Sequence, residues 1–189
     1  MGHAIKQRLN KMSTIHSFAP IENENARVLI LGSMPGVASL RAAEYYAHPR
    51  NLFWRMMGTL ISLDPESAYE QRILALKSAR IALWDVLHSC TREGSLDANI
   101  DKASQAPNDF QSFFAGHINI THVFFNGSIA EQIFRREVLA DLELPHIEYM
   151  RLPSTSPANA SITLERKLEA WKALLQCGLA THDRKELNK

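Results

Sequence analysis

Between residues 45 and 51 the chain concentrates Tyr45, Tyr46, His48, Pro49, Arg50 and Asn51, aromatic, cationic and amide groups that a loop has little packing reason to carry. Tyr46 offers a flat ring on which a planar base could stack, a contact worth about 1–3 kcal/mol per base in nucleic-acid sites; its other reading is a core aromatic with a paired hydroxyl. Asn51 could hold a water through its amide, or cap the helix that opens at LFWRMM, which is the commoner use of that residue type. His48 reads equally as a loop histidine satisfied by hydrogen bonds and as a direct participant. Just upstream, Gly32, Ser33, Met34, Pro35 and Gly36 make a turn whose glycines let the backbone approach a ligand closely and whose proline fixes φ. Many such turns are purely structural.

Three other stretches carry polar groups in suggestive places. Asp85 closes an apolar run, as a candidate for base recognition or water activation or as a cap for nearby backbone. Asn126 closes another beside Gly127, a pair that is first of all a turn signal. RLPSTSPANA, residues 151 to 160, sets Ser154, Thr155 and Ser156 between two prolines beside Arg151. Such a stiff loop could hold phosphate oxygens without strong charge; it could also simply lead to an N-cap at Ser161.

The elements that must position these residues alternate. Continuous apolar runs at 27 to 32, 81 to 87, 121 to 127 and 146 to 153 read as strands covered on both faces. Between them lie helical patterns: one capped by Asp64-Pro65-Glu66 with Tyr69, Ile73, Leu74 and Leu76 on its face, one over 127 to 139 with Ile129, Ile133 and Phe134, and one from Ser161 to Cys177 with Leu164, Leu168, Trp171 and Leu175, ending at Gly178. The alternation predicts an α/β fold, a three-layer α/β/α sandwich around a short central parallel sheet. In such sheets ligands sit beyond the C-terminal ends of the strands, where the polar stretches fall.

Length and composition bound the rest. The 189 residues suit one domain, over 26–180, with an N-terminal arm at 1–25 and a polar tail at 181–189. Twenty-one basic residues against 20 acidic ones give a net charge of +1, so no bulk field announces a nucleic-acid partner. Cys90 and Cys177 are too few and too far apart for a disulfide framework, a zinc site or an iron–sulfur cluster. No metal and no cofactor are expected, and the turn is neither a phosphate-binding Walker loop nor a dinucleotide fingerprint. No stretch has the length of a membrane span or a signal peptide. The expected location is cytoplasmic and the expected state a monomer.

Taken together, GSMPG followed by YYAHPRNLFW resembles the first motif of the uracil-DNA glycosylase superfamily, particularly its mismatch-specific branch, and LPSTSP looks like the second. The forms GSMPG, WDVL-SC, GSLD-NI and LPSTSPA look most like the DNA-deoxyinosine (hypoxanthine) glycosylase family within it, over residues 26 to 176. The usual uracil catalytic pair is missing: Ser33 and Met34 stand where uracil enzymes carry Asn or Asp, and Leu152 where the commonest of them carry His. The resemblance implies a glycosylase that flips a deaminated base out of damaged DNA and hydrolyses its N-glycosidic bond, with hypoxanthine favoured. It implies Asn51 as the residue that positions the water, Tyr46 as the stacking platform, the backbone of Ser33, Met34 and Gly36 as the stabiliser of charge on the departing base, and Asn126 as the reader of the base edge. Arg41, Arg50, Arg92 and Arg151 would flank the crevice as phosphate contacts. No lysine stands in these loops, so the expected product is an abasic site rather than a broken strand. The alternatives are a G:U/G:T mismatch-specific uracil or thymine glycosylase and, more remotely, a non-catalytic module that binds a nucleotide or damaged DNA.

Overall fold

The computed structural model describes residues 14–142 and 144–177 of the chain. In chain order these form β1 (Thr14–His16), β2 (Val28–Gly32), α1 (Val37–Ala42), α2 (Phe53–Ile61), α3 (Tyr69–Ser78), β3 (Ile81–Asp85), β4 (Leu87–Thr91), β5 (Ala106–Pro107), α4 (Phe110–Gly116), β6 (His122–Asn126), α5 (Ser128–Glu137), β7 (Glu148–Leu152) and α6 (Leu164–Trp171), joined by loops and short 3-10 turns. Every residue of β2 and β3 is buried, as their unbroken apolar runs require of strands covered on both faces. They pair in parallel with the next strands in the order β3-β2-β6-β7. Helix α3 packs on β3, α5 on β6 and β7, and α6 on β7, giving the expected α/β sandwich.

The connection order makes β2 the point where the chain first steps to one side of the sheet, to β3, and then to the other, to β6 and β7. Crevices open at such reversals, at the C-terminal strand ends. The register brings those ends level: Gly32 faces Asp85, Leu31 faces Phe125, and Asn126 faces Leu152.

Several expectations need correction. Thr14–His16, read as part of a loose arm, pairs antiparallel with Thr91, Cys90 and Ser89 of β4, and β5 completes a small second sheet; Ile21 also exchanges two backbone hydrogen bonds with Leu83. Residues 1–13 and the expected tail at 181–189 lie outside the described residues. Asp64 does not cap α3: its carboxylate accepts from the Glu66 N–H within a turn, and the helix starts at Tyr69. Leu74 cannot share a face with Leu76, being 200° away around the helix, and is 61% exposed while Leu76 is buried. The last helix is capped by Thr163, not Ser161, and after Trp171 tightens into a 3-10 turn over Lys172–Gln176; Gly178 lies outside the described residues. Helix α4, whose Phe110, Phe113 and Phe114 are all buried, was not foreseen, because its seven residues are too short to show a helical period. Both cysteines are free thiols, Cys90 buried and Cys177 partly so. No helix among the described residues is long and apolar enough to cross a membrane.

The core concentrates on β2, so its truncation should be costly. Ile30→Ala should lower stability by about 2–5 kcal/mol, whereas Leu74→Ala on the exposed side of α3 should change it by less than about 0.5 kcal/mol. Urea unfolding curves of the two variants measure the contrast; equal effects would show that the central strand is not the core's anchor.

Candidate active site

At the reversal, the loops after β2, β3, β6 and β7 enclose a cavity of about 130 Å³, far more than one water needs. Its wall includes all ten residues expected to act on a base or on water: Gly32, Ser33, Met34, Pro35, Gly36, Tyr46, His48, Asn51, Asp85 and Asn126. Ser154, Thr155 and Ser156 line it from the opposite loop. Arg50 and Arg151 stand outside, both exposed. Arg50 pairs with no acid among the described residues, while Arg151 is held 3.5 Å from Glu131.

The floor is made where β2 meets β3. A Cβ at Gly32 would sit 2.4 Å from Asp85 Oδ1 and 3.1 Å from the Tyr46 hydroxyl, so glycine there makes room for both polar groups as they stand. Beyond Gly32, the amide N–H groups of Ser33, Met34 and Gly36 meet no acceptor among the described residues, so three donors remain available on the turn.

Tyr46 sits in a left-handed backbone conformation, with φ of 55°, a strained state that persists only where surrounding structure enforces it. Its ring stacks on Phe53 at 4.1 Å between centroids, and the half-buried residue lines the cavity. Its hydroxyl is sealed from solvent and unpaired, and burial followed by the nearby Asp85 raises its pKa. The ring packs in the core, but its hydroxyl is not paired as the core reading expects.

Asp85 is the other unsatisfied group. Its residue is 4% exposed and its Oδ2 has no hydrogen-bond partner. Burial, and then repulsion from Asp97, push its pKa up to about 8, against a smaller pull from Arg92. That shift favours the protonated, neutral form of the carboxyl at neutral pH. Only four buried side-chain polar atoms among the described residues lack a partner, and two of them belong to Tyr46 and Asp85, residues of this cavity's wall. A buried polar atom left unpaired carries a desolvation cost.

Asn51 does not cap α2, whose N-cap is Leu52 with no side-chain cap. Its Oδ1 accepts from the Phe53 N–H at 2.9 Å just ahead of that helix, which fixes the amide while the residue lines the cavity. His48 Nδ1 accepts from the Arg50 N–H at 3.1 Å, and its carbonyl accepts from the Asn51 N–H at 2.8 Å. The histidine thus shapes the loop as well as the cavity wall.

Two assignments change and a third gains a partner. Asn126 is fixed by Thr155: its Nδ2 donates to Thr155 Oγ1 at 2.9 Å and its Oδ1 accepts from the Thr155 N–H at 2.8 Å, which leaves one N–H and one lone pair of the amide unused. Thr155, expected to hold phosphate, is fully buried and committed to that pair, while its carbonyl accepts from the Leu52 N–H at 3.0 Å. Arg92 is not a phosphate contact; its buried guanidinium donates to the carbonyls of Pro35 and Gly94 and pairs with Asp97 at 3.3 Å.

Ser95 and Asp97 were not singled out, although both line the cavity. Ser95 Oγ accepts from the Val37 N–H at 2.9 Å, and Ser33 Oγ donates to Asp97. Burial raises the Asp97 pKa, with Ser33 and Arg92 drawing it back. The sequence signal was the GSLD stretch, already quoted for its resemblance. Among the described residues no cluster of three metal-ligating side chains occurs.

Comparison with known proteins places this geometry in a family. The model of the Uracil DNA glycosylase superfamily matches residues 19–175. A Methanosarcina acetivorans protein named hypoxanthine DNA glycosylase is 36% identical over 160 residues, 84% of this chain and 96% of the relative. One of the same name from Methanosarcina barkeri is 42% identical over 111 residues, 58% of this chain and 69% of the relative. A solution NMR structure from Methanosarcina acetivorans, provisionally described as a uracil DNA glycosylase, superposes with a TM-score of 0.72 at 32% identity, covering 86% of this chain and 99% of the other.

The raised Asp85 pKa has a thermodynamic signature. The folded chain keeps that proton up to about pH 8, whereas the unfolded chain releases it near 3.8. Between those values the folded state binds more protons, so this group's contribution makes stability fall as pH rises from about 4 to about 8. Asp85→Asn cannot ionise and should flatten that fall in urea unfolding measured across the window. A variant that loses stability with pH as steeply as the parent would mean that the native carboxyl is ionised.

Proposed function

The chain belongs to the uracil DNA glycosylase superfamily, and from that membership and the chemistry of its cavity we propose that it is a DNA glycosylase that hydrolyses the N-glycosidic bond of deoxyinosine, releasing hypoxanthine and leaving an abasic site. The observation that carries this reading is the convergence of a fixed amide, three free backbone N–H groups, a half-buried aromatic ring and a buried acid that favours its neutral form on one cavity. The names of the two Methanosarcina relatives support the choice of base.

Hydrolysis breaks the bond from C1′ to the base nitrogen. The electron pair leaves with the base, water supplies oxygen to C1′, and the proton that the water loses ends on the departing base, which leaves as neutral hypoxanthine. Flipping the nucleotide into the cavity costs a few kcal/mol of unstacking, least for a mispaired base, and hypoxanthine opposite its original partner thymine is such a base. Once inside, the base would lie against the Tyr46 ring. Asn51 Oδ1, already held by the Phe53 N–H, has a second lone pair with which to accept from the attacking water, and its Nδ2 can donate. A pinned amide orients water without itself ionising, and orientation is a large part of the barrier.

The departing base gathers negative charge. Donors set in advance along the turn at Ser33, Met34 and Gly36 stabilise that charge where it develops. A carboxylate at Asp85 would oppose it; a protonated Asp85 instead offers an O–H to the base's carbonyl oxygen or ring nitrogen. One buried carboxyl thereby favours bases that present an acceptor on the departing edge. Arg50, exposed beside the mouth, is placed to meet a phosphate of the bound strand.

Duplex oligonucleotides carrying inosine or uracil at one position, incubated with the protein and then treated with alkali, test the choice of base: breakage should be faster at inosine, and faster breakage at uracil would overturn it. In single-turnover assays on the inosine duplex, Asn51→Ala should lose at least about 2 kcal/mol of transition-state stabilisation, roughly 30-fold, with DNA affinity retained. An unchanged rate would remove Asn51 from its role.

A further inference from the structure

Deamination leaves one mark on the edge of a base. Where adenine and cytosine carry a ring nitrogen that accepts beside an amino group that donates, hypoxanthine and uracil carry a ring N–H that donates beside a carbonyl that accepts. A fixed acceptor at that ring position pairs with the deaminated base and sets lone pair against lone pair for its parent. We propose that Ser33 Oγ is this acceptor, made so by Asp97, and that it separates deaminated bases from the amino bases they come from. The proposal rests on the glycosylase reading above.

A serine hydroxyl is ordinarily a poor judge of polarity, because its proton turns to suit whatever it meets. Ser33 has lost that freedom. It is buried in the cavity wall and its hydroxyl donates to Asp97 Oδ2, so only the lone pairs of its oxygen remain for a ligand. The other serine and threonine hydroxyls of the wall, on Ser39, Ser95, Ser154, Thr155 and Ser156, each accept from an N–H group. Their own protons meet no acceptor among the described residues, and a free proton can serve either kind of base.

The lock depends on charge. Asp97 Oδ1 takes Arg92 Nη1 at 3.3 Å while Oδ2 takes the Ser33 hydroxyl, so each oxygen has its own donor. Both donors favour the ionised carboxyl against the effect of burial, and a carboxylate has no proton to return. Arg92, with no exposed side-chain surface, is in turn fixed to the carbonyls of Pro35 and Gly94. Asp97 therefore acts on the base through Ser33, as a positioning residue.

Ser33 also carries a donor. Its carbonyl is taken by the Leu87 N–H at 3.2 Å, but its own N–H is one of the three left free on the turn. An N–H and an obligate acceptor on one residue match a carbonyl and a ring N–H side by side on a base. Adenine offers the reverse at both places. Guanine and xanthine share the edge of hypoxanthine and differ from it at C2, so this contact distinguishes adenine from its deaminated form without by itself rejecting guanine.

The test reads base preference apart from cleavage, in single strands where no pairing partner biases the choice. Dissociation constants of the full-length protein are measured by fluorescence anisotropy, at raised salt to weaken sequence-independent backbone binding. The oligonucleotides carry 2′-fluoroarabino-inosine or 2′-fluoroarabino-adenosine, whose fluorine resists loss of the base. The parent should bind the inosine strand at least tenfold more tightly. Ser33→Ala, which keeps the backbone N–H, should bring the two strands within about threefold by weakening the inosine strand alone. Asp97→Asn should also strengthen the adenosine strand: an amide has one oxygen for two donors, the Arg92 cation takes it, and the amide N–H then donates to Ser33 Oγ and frees the hydroxyl proton. Met150→Ala, on the exposed side of β7, should leave the preference unchanged, and thermal melting confirms that each variant is folded. No preference in the parent, an undiminished preference in either variant, or equal weakening of both strands would overturn the role of Ser33, while release of hypoxanthine from an unmodified inosine strand by the parent keeps the glycosylase reading intact. Failure of that release would instead remove the reading itself, and the role of Ser33 with it.

Discussion

The cavity depends on a buried guanidinium. Arg92 has no exposed side-chain surface, and it spends its donors on two backbone carbonyls, at Pro35 and Gly94, and on the Asp97 carboxylate. A buried cation is stable only when each donor meets an acceptor and a counter-charge stands nearby. Those acceptors come from the turn after β2 and from the loop after β4, more than fifty residues apart in sequence. Removing the cation would free both loops and leave Asp97 buried with less compensation. Its field also reaches Asp85, where it opposes but does not outweigh burial and the charge of Asp97.

A second tie closes the other side. The reciprocal hydrogen bonds between Asn126 and Thr155 fasten the end of β6 to the loop after β7, and the Thr155 carbonyl passes the restraint to Leu52 at the start of α2. Gly127, at φ of 104° with a would-be Cβ only 2.9 Å from Ser154 Cβ, permits the loops to meet that closely. Thus Thr155, a side chain that the sequence offers to substrate, is consumed in building the wall, and Asn126 is held by it with one N–H and one lone pair to spare.

Much of this was legible in the sequence, for physical reasons. Unbroken apolar runs can only be strands buried on both faces, and alternation with helices leaves one sheet architecture, whose strand ends mark the crevice. That logic brought Gly32, Asp85 and Asn126 to one row and the loops after them to one cavity. Partnership was not legible. Arg92 and Arg50 are the same residue type in polar loops, yet one is sealed inside and the other is free, a difference set by which carbonyls the fold happens to bring near. Ser95 and Asp97 stood outside any strand end, and only the contacts with Ser33 and Val37 fold them into the wall. Thr14–His16 joins a sheet because β4 offers an unpaired edge, which no property of three residues could announce.

Neutrality gives the site its chemical character. A net charge of +1 for the whole chain means that long-range attraction to DNA is weak, so selectivity must come from what happens once a base enters. Inside, Asp97 is compensated by Arg92 and Ser33, while at Asp85 burial and the charge of Asp97 outweigh the weaker pull of Arg92 and favour the protonated form. The cavity therefore presents oriented dipoles, a paired carboxylate and a carboxyl that tends to stay neutral. Such an interior does little for an uncharged base at rest and progressively more as electron density moves onto that base. Stabilisation that grows along the reaction coordinate is what lowers a barrier, and under the proposed function it would follow from burying one carboxyl where the pull of Arg92 is too weak to hold it ionised.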